Sequence, residues 1–231
     1  MPTALYPSLP SAYLWREDNG PVLDRQAAIT QLAAADPSMG ELIQRVGPCA
    51  LRPRSVVTPF QALLRAIVYQ QLSGAAARTI LGRVRGLYRP KRYPGPADLL
   101  ATPEAQLRNA GLSAAKVRAV LDLARHAAAR EIPGVRRLRR MDPEEIVTLL
   151  TRVRGVGRWT VEMLLIFRLG HPDILPVQDL GVRKGFARVY RRRRLPEPEE
   201  LGRHGERWRP FRSIASWYLW RALELDSRRL P

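Results

Sequence analysis

The stretch that decides the fold runs from residue 142 to residue 169. It opens Asp142-Pro143-Glu144-Glu145-Ile146-Val147-Thr148-Leu149-Leu150, turns through Thr151-Arg152-Val153-Arg154-Gly155-Val156-Gly157, and resumes as Arg158-Trp159-Thr160-Val161-Glu162-Met163-Leu164-Leu165. Asp142 is a capping acid, Pro143 an N1 proline, and Glu144 and Glu145 are first-turn carboxylates. A helix therefore starts here and carries Ile146, Leu149 and Leu150 before stopping at Gly155, and a second helix follows the Gly-x-Gly step. The same signals recur on either side. Thr58-Pro59 opens an apolar run from Phe60 to Val68, and Gly74 precedes helix formers from Ala75 to Leu87. Thr102-Pro103-Glu104 starts a short helix that Gly111 ends. Ser113 caps a stretch to about Arg130 with Val117, Val120, Leu121 and Ala124 on one face. Pro90 to Pro96 and Arg191 to Pro198 read as loops. No segment alternates as a strand and no repeat recurs at a solenoid period, so the expectation is an all-α protein.

Composition narrows the class. The 231 residues are 45% hydrophobic and 26% charged, which is ordinary globular usage. They include 39 Lys and Arg against 21 Asp and Glu, a formal net charge of +18, and only Lys91, Lys116 and Lys184 are lysines. Even with part of the arginine set by genomic composition, the excess calls for a polyanionic partner or a reason to repel itself. Cys49, the sole cysteine, excludes a disulfide framework, a four-cysteine zinc site and a four-cysteine iron–sulfur cluster. The densest apolar run, Val161 to Phe167, is closed by Arg168 and is too short to span a membrane. Met1 to Tyr6 lacks a basic segment ahead of a long apolar one, so no secretory signal is read. The starting position is a soluble, cytoplasmic protein that faces nucleic acid and not membrane. His126, His171 and His204 share no metal-ligand spacing and are read as structural or surface residues. Arg191 to Arg194 reads as a solvated turn partly neutralised by Glu197, Glu199 and Glu200, with a phosphate contact as the second reading.

Glycine permits φ > 0 and lets a ligand approach the backbone closely. At Gly155-Val156-Gly157 this turns amides at the start of the second helix outwards, at the positive end of the helix dipole, as an anion site suited to a DNA phosphate. Residues 143–169 thus form a helix-hairpin-helix arrangement. Asp179, within Asp173-Ile174-Leu175-Pro176-Val177-Gln178-Asp179-Leu180, lies 22 residues beyond Gly157, past one helix and a proline-containing loop, at the start of the next helix. Hairpin and acid at this spacing closely resemble the HhH-GPD superfamily of DNA base-excision glycosylases. Within it, Gly157-Arg158-Trp159-Thr160, the later Arg207-Trp208-Arg209-Pro210-Phe211-Arg212-Ser213, and Tyr69-Gln70-Gln71-Leu72-Ser73 with Ala75-Ala76 look like the 3-methyladenine DNA glycosylase II (alkylbase glycosylase) branch. The resemblance runs from about Thr58 to Leu225. The better known bacterial members carry an extra N-terminal β-rich domain, and about 55 residues precede the matching region here, so a short form is expected.

The resemblance implies a monofunctional DNA glycosylase that hydrolyses the N-glycosidic bond of alkylated bases, of the 3-methyladenine, 7-methylguanine or 1-methyladenine type, and leaves an abasic site. Asp179 is then the catalytic carboxylate, which stabilises oxocarbenium-like charge on the sugar and orients a water. It can equally be an N-cap, and the two roles are compatible. Bifunctional members place a Schiff-base lysine just after the hairpin, where this chain has Trp159. A flipped base would meet an aromatic pocket with Trp220 on the C-terminal helix, Tyr69 from the opposite helix and Met163 where some relatives have tyrosine, while Trp159 supports the pocket or the hairpin. Core packing is the other reading of Trp220 and the preferred one for Trp217. Gln71 or Leu72 would plug the hole left by the base, the alternative being a helix end with Leu72 in the core. Phosphate contacts fall to Gly155, Val156, Gly157, Arg158 and Thr160. The backbone carbonyls of Thr151, Val153 and Val156 would hold a structural Na+ or K+, and no cofactor is required. The implied partner is double-stranded DNA containing alkylated bases, met by a monomer.

Two other classes stay open. A non-catalytic helix-hairpin-helix DNA-binding module would need neither Asp179 nor the aromatic pocket. A glycosylase for deaminated or oxidised bases would want the hairpin lysine or four cysteines. The fold implied by the resemblance has two helical subdomains flanking a cleft. One spans about 63–175 and the other combines 1–62 with 176–231, with the flipped base in the cleft and Asp179 at its floor.

Overall fold

The computed structural model describes residues 15–16, 20–21, 25–53 and 58–225. Met1–Tyr6, the segment without secretory features, lies outside the described residues. The first described elements are an antiparallel pair, β1 (Trp15–Arg16) and β2 (Gly20–Pro21), each two residues long and so too short to show alternation in the sequence. Every other regular element among the described residues is helical. Helices α1 (Arg25–Ala35) and α2 (Pro37–Val46) come first. Then follow α3 (Pro59–Tyr69), α4 (Gly74–Gly86), α5 (Pro96–Ala101), α6 (Glu104–Asn109), α7 (Ala114–Ala128), α8 (Val135–Leu138), α9 (Pro143–Leu150) and α10 (Arg158–Leu164). A π-helical turn, Leu165–Leu169, leads through a loop to α11 (Leu180–Val189), α12 (Pro198–Gly205) and α13 (Arg212–Ala222). No described helix is long and apolar enough to cross a membrane.

The chain divides into two compact units, Arg54–Leu164 and the pair of segments Met1–Pro53 and Leu165–Pro231. In the unit Arg54–Leu164, α7 is central and packs on α3, α5 and α6. Val117, Val120, Leu121 and Ala124 bury one face of α7, against a core that includes Leu63, Ile67, Leu99 and Leu107. The helix starts follow the capping chemistry of the sequence. Thr58 and Gln61 form a reciprocal capping box ahead of Pro59, Ser73 accepts from the Ala76 amide, and Ser113 accepts from the Lys116 amide. Asp142 accepts from the Glu144 amide at 2.8 Å.

In the other unit, α11 lies against α13 and α13 against α2. The α11–α13 approach needs glycine: a Cβ at Gly185 would stand 2.1 Å from the carbonyl oxygen of Leu219. Beside it, Asp36 is buried at the N-terminus of α2, where its Oδ1 accepts from the Met39 amide at 3.2 Å. Its Oδ2 takes the Tyr190 hydroxyl at 2.6 Å, the Trp208 Nε1 at 2.9 Å and the His204 Nε2 at 3.0 Å. Phe186 packs on the rings of Tyr190, His204 and Trp208, so the carboxylate sits in an aromatic shell.

Burial alone would push the Asp36 carboxyl up, but the hydrogen bonds from His204, Tyr190, Trp208 and Met39 outweigh it and hold the group well below the usual carboxylate range. A carboxyl lowered on folding contributes stability that is complete above its unfolded value of about 4, and that contribution disappears as pH falls toward the folded value. Asp36→Asn presents an amide to three donors and should cost about 3–5 kcal/mol at pH 7. Urea unfolding should show the gap between wild type and variant narrowing below about pH 4. An equal gap at pH 7 and pH 3 would show that the charge of Asp36 is immaterial.

Candidate active site

The hairpin between α9 and α10 is built within the unit Arg54–Leu164. Gly155 makes the turn at φ +76, a conformation that L side chains rarely adopt, and a Cβ there would stand 3.1 Å from the Ala119 methyl. Gly157 has no such φ, and an added Cβ would meet nothing within 4 Å. One glycine turns the chain and the other leaves the backbone open to approach. The amide of Val156 donates to the Val153 carbonyl at 3.0 Å and that of Thr160 to Gly157 at 2.9 Å. Of the five expected residues, Val156 and Thr160 thus have amides already engaged, while those of Gly155, Gly157 and Arg158 have no backbone partner among the described residues. The Arg158 guanidinium turns back to α9 and grips both Glu144 oxygens at 2.8 and 2.6 Å, which pushes its pKa up. The Arg154 amide donates to Asp122 of α7 at 2.8 Å, tying the hairpin to the core helix.

The tip between α3 and α4 is strapped to this hairpin. Gln70 donates from Nε2 to the Gly155 carbonyl at 2.8 Å, and Lys116 donates from Nζ to the carbonyls of Val68 at 2.7 Å and Gln70 at 2.8 Å. Gln71 follows in the left-handed region at φ 56 and is exposed. Leu72 is 38% exposed, so its side chain is not in the core as one reading of the sequence had it. Tyr69 is half-buried with the Arg65 guanidinium 3.9 Å above its ring. Trp159 is 49% exposed on the first turn of α10, and Met163, one turn later, is half-buried.

Asp179 and Trp220 belong to the other unit and meet there. Asp179 caps α11, with Oδ1 accepting from the Val182 amide and from the Trp220 Nε1, each at 2.8 Å. Gly181 permits the second bond: a Cβ there would stand 2.8 Å from Trp220 Cδ1 and 3.0 Å from Asp179 Oδ1. Trp220 is half-buried, with the ring of Phe167 5.5 Å away on the π-helical turn. Trp217 is also half-buried, set edge-on to Tyr218.

Two groups escaped sequence reasoning. Phe167 was hidden in an apolar run that signals burial. The second group fixes the loop that delivers Asp179. Asp173 is buried, and Arg212 holds it at 2.7 and 3.0 Å while Arg209 holds it at 2.7 Å. Ser213 accepts from the Ile174 amide at 3.0 Å and donates to the His171 carbonyl at 2.6 Å. The Arg207–Ser213 motif thus anchors the loop before Asp179, and Trp208 itself is core.

A glycine-turned hairpin at the start of one helix, and an aspartate capping another beside an indole, place this chain in a defined class. It belongs to the HhH-GPD superfamily of base excision DNA repair proteins, whose family model matches residues 64–210. It is similar to the DNA-3-methyladenine glycosylase 1 of Schizosaccharomyces pombe, with 33% identity over 87% of this chain and 88% of that protein. It is 31% identical to the alkylbase DNA glycosidase-like protein mag2 of the same yeast, over 89% of this chain and 97% of that one. Among solved structures, that of the S. pombe 3-methyladenine DNA glycosylase in complex with abasic DNA matches with a TM-score of 0.75 at 33% identity, covering 86% of this chain and 97% of the other.

The two hairpin glycines should separate experimentally. Gly155→Val meets both a left-handed φ and Ala119 and should destabilise the protein by about 2 kcal/mol or more. Gly157→Val should unfold within about 0.5 kcal/mol of wild type. Urea unfolding of both variants checks this, and equal losses would refute the division of roles.

Proposed function

We propose that the protein is a monofunctional DNA glycosylase of base excision repair that hydrolyses the N-glycosidic bond of alkylated bases and leaves an abasic site. The observation that carries this reading is Asp179, capping α11 with Trp220 hydrogen-bonded to it, in a chain so similar to alkylbase glycosylases. Breaking the C1′–N bond sends the bonding electrons to the base and leaves positive charge on the sugar. A carboxylate fixed by two donors stabilises that charge without reorganising, and water then adds at C1′ and releases a proton. A base already cationic through alkylation departs neutral and needs no strong acid. Its positive charge also strengthens stacking on Trp220 and Phe167. The complex of the yeast relative with abasic DNA supports DNA as the partner.

The geometry supports further roles within this reading. The amides of Gly157 and Arg158 take a backbone phosphate at the N-terminus of α10. Gln71, exposed and strained at φ 56 directly after the strapped carbonyls of Val68 and Gln70, is the wedge, with Leu72 beside it. Trp159 and Met163 on α10 and Tyr69 on α3 keep the base-recognition roles that the family resemblance implies. Trp159 stands where a lyase would carry lysine, and Lys116 already donates to two carbonyls, which favours a monofunctional enzyme. Neutral backbone oxygens suit a monovalent cation, and a carbonyl has two lone pairs, so Val153 can accept from Val156 and still join Thr151 and Val156 around Na+ or K+. Such an ion would stiffen the hairpin. The enzyme acts as a monomer and works where the cell keeps its DNA.

Asp179→Asn keeps the shape and the cap but removes the charge. Single-turnover release of 3-methyladenine should fall by about 10²–10³, with duplex affinity retained. Excision within about threefold of wild type would make Asp179 a cap alone. Gly157→Val should weaken binding to damaged and undamaged duplexes alike, since the hairpin reads phosphate and not base. Fluorescence anisotropy across duplex sequences tests this, and a loss confined to damaged DNA would place Gly157 in the pocket.

A further inference from the structure

Helix α11 has Asp179 at one end and an arginine cluster at the other, about 15 Å away at 1.5 Å rise per residue. After Val189 the chain wraps the helix end, with the Arg192 amide reaching the Ala187 carbonyl at 2.8 Å. Arg191 adopts φ 50 at the position where helices favour glycine, so a cationic side chain is kept against a backbone preference. Arg191, Arg192, Arg193 and Arg194 are all exposed. Arg188 already serves the end of α13 by donating to the carbonyls of Leu223 and Leu225, and Arg194 pairs with Glu200 at 3.1 Å. The guanidinium groups of Arg191, Arg192 and Arg193 have no partner among the described residues.

A recess of about 370 Å³ opens here, lined by Arg192, Arg193, Arg194 and Glu200. A smaller groove of about 80 Å³ includes Arg45, Arg188 and Arg191 in its lining. The larger recess has no aromatic or aliphatic wall on which a base could stack, so its chemistry suits phosphate and not nucleobase. A duplex whose base reaches Asp179 lies at the N-terminal end of α11, whereas these arginines face the C-terminal end.

We propose that Arg191, Arg192 and Arg193 form a second phosphate-binding face that takes the backbone of a DNA segment other than the one engaged at Asp179. The enzyme then passes between segments without first dissociating into solution. This rests on the glycosylase reading, because it presumes that a duplex occupies the Asp179 end.

The test preforms a complex on a fluorescent duplex, adds increasing unlabelled undamaged duplex, and follows release by stopped flow. Wild type should be released faster as competitor rises. R191Q/R192Q/R193Q should lose at least about fivefold of that concentration dependence, and the salt slope of transfer should fall by about 3. Its single-turnover excision on one duplex should stay within about twofold of wild type. Release independent of competitor in wild type, or equal transfer by the variant, overturns the proposal. So does a parallel loss of single-duplex affinity and excision, which would put these arginines in the primary footprint. A wild-type protein that excises nothing would instead overturn the glycosylase reading beneath it.

Discussion

Helices α11 and α13 can touch only because position 185 has no side chain. With the Leu219 carbonyl oxygen where a Cβ would stand, any larger residue forces the two helices apart. One turn earlier Gly181 does the same for Trp220, so the indole reaches the carboxylate that caps α11. The Asp179–Trp220 bond is therefore set by two absent side chains as much as by the two present ones. Placing both residues on helices in backbone contact gives the carboxylate a fixed direction, which a loop residue would lack.

The loop that delivers Asp179 is fixed from its other side. Two guanidinium groups on the buried Asp173, with Ser213 bridging Ile174 and His171, lock residues 171–174 to the start of α13. The same turn of chain puts Trp208 on Asp36, so the anchor of the loop before Asp179 and the aromatic core share one short segment. Asp36 in turn joins α2 to residues more than 150 positions later. Charge here is held by several donors at once, which is the condition under which a buried carboxylate stabilises a fold.

Legibility in the sequence followed the range of the interactions. The helix starts at Thr58, Ser113 and Asp142 were readable because a cap and the amide it serves lie two or three residues apart. Asp179 was readable for the same reason, since its acceptor role toward Val182 is local. The partners of Asp36 and Asp173 were not, because nothing near either acid marks it as buried until tertiary packing brings the donors. Hairpin glycines were recognised as a pair, but their unequal roles depend on Ala119, a residue of another helix. Phe167 was missed because an apolar run has the same appearance whether its rings are buried in a core or set beside a half-buried indole.

The strap at Lys116 has a consequence for which kind of cation its position accepts. Only three of its 39 cationic side chains are lysine, so nearly all of the positive charge is carried by guanidinium groups. Burial pulls the Lys116 ammonium below the usual lysine range, yet the residue remains. An ammonium is a compact charge with three donors that can turn toward two convergent carbonyls, at Val68 and Gln70, where a rigid planar guanidinium fork needs more room and a different acceptor pair. At position 116 it is therefore the shape of the cation, as much as its charge, that the two carbonyls select.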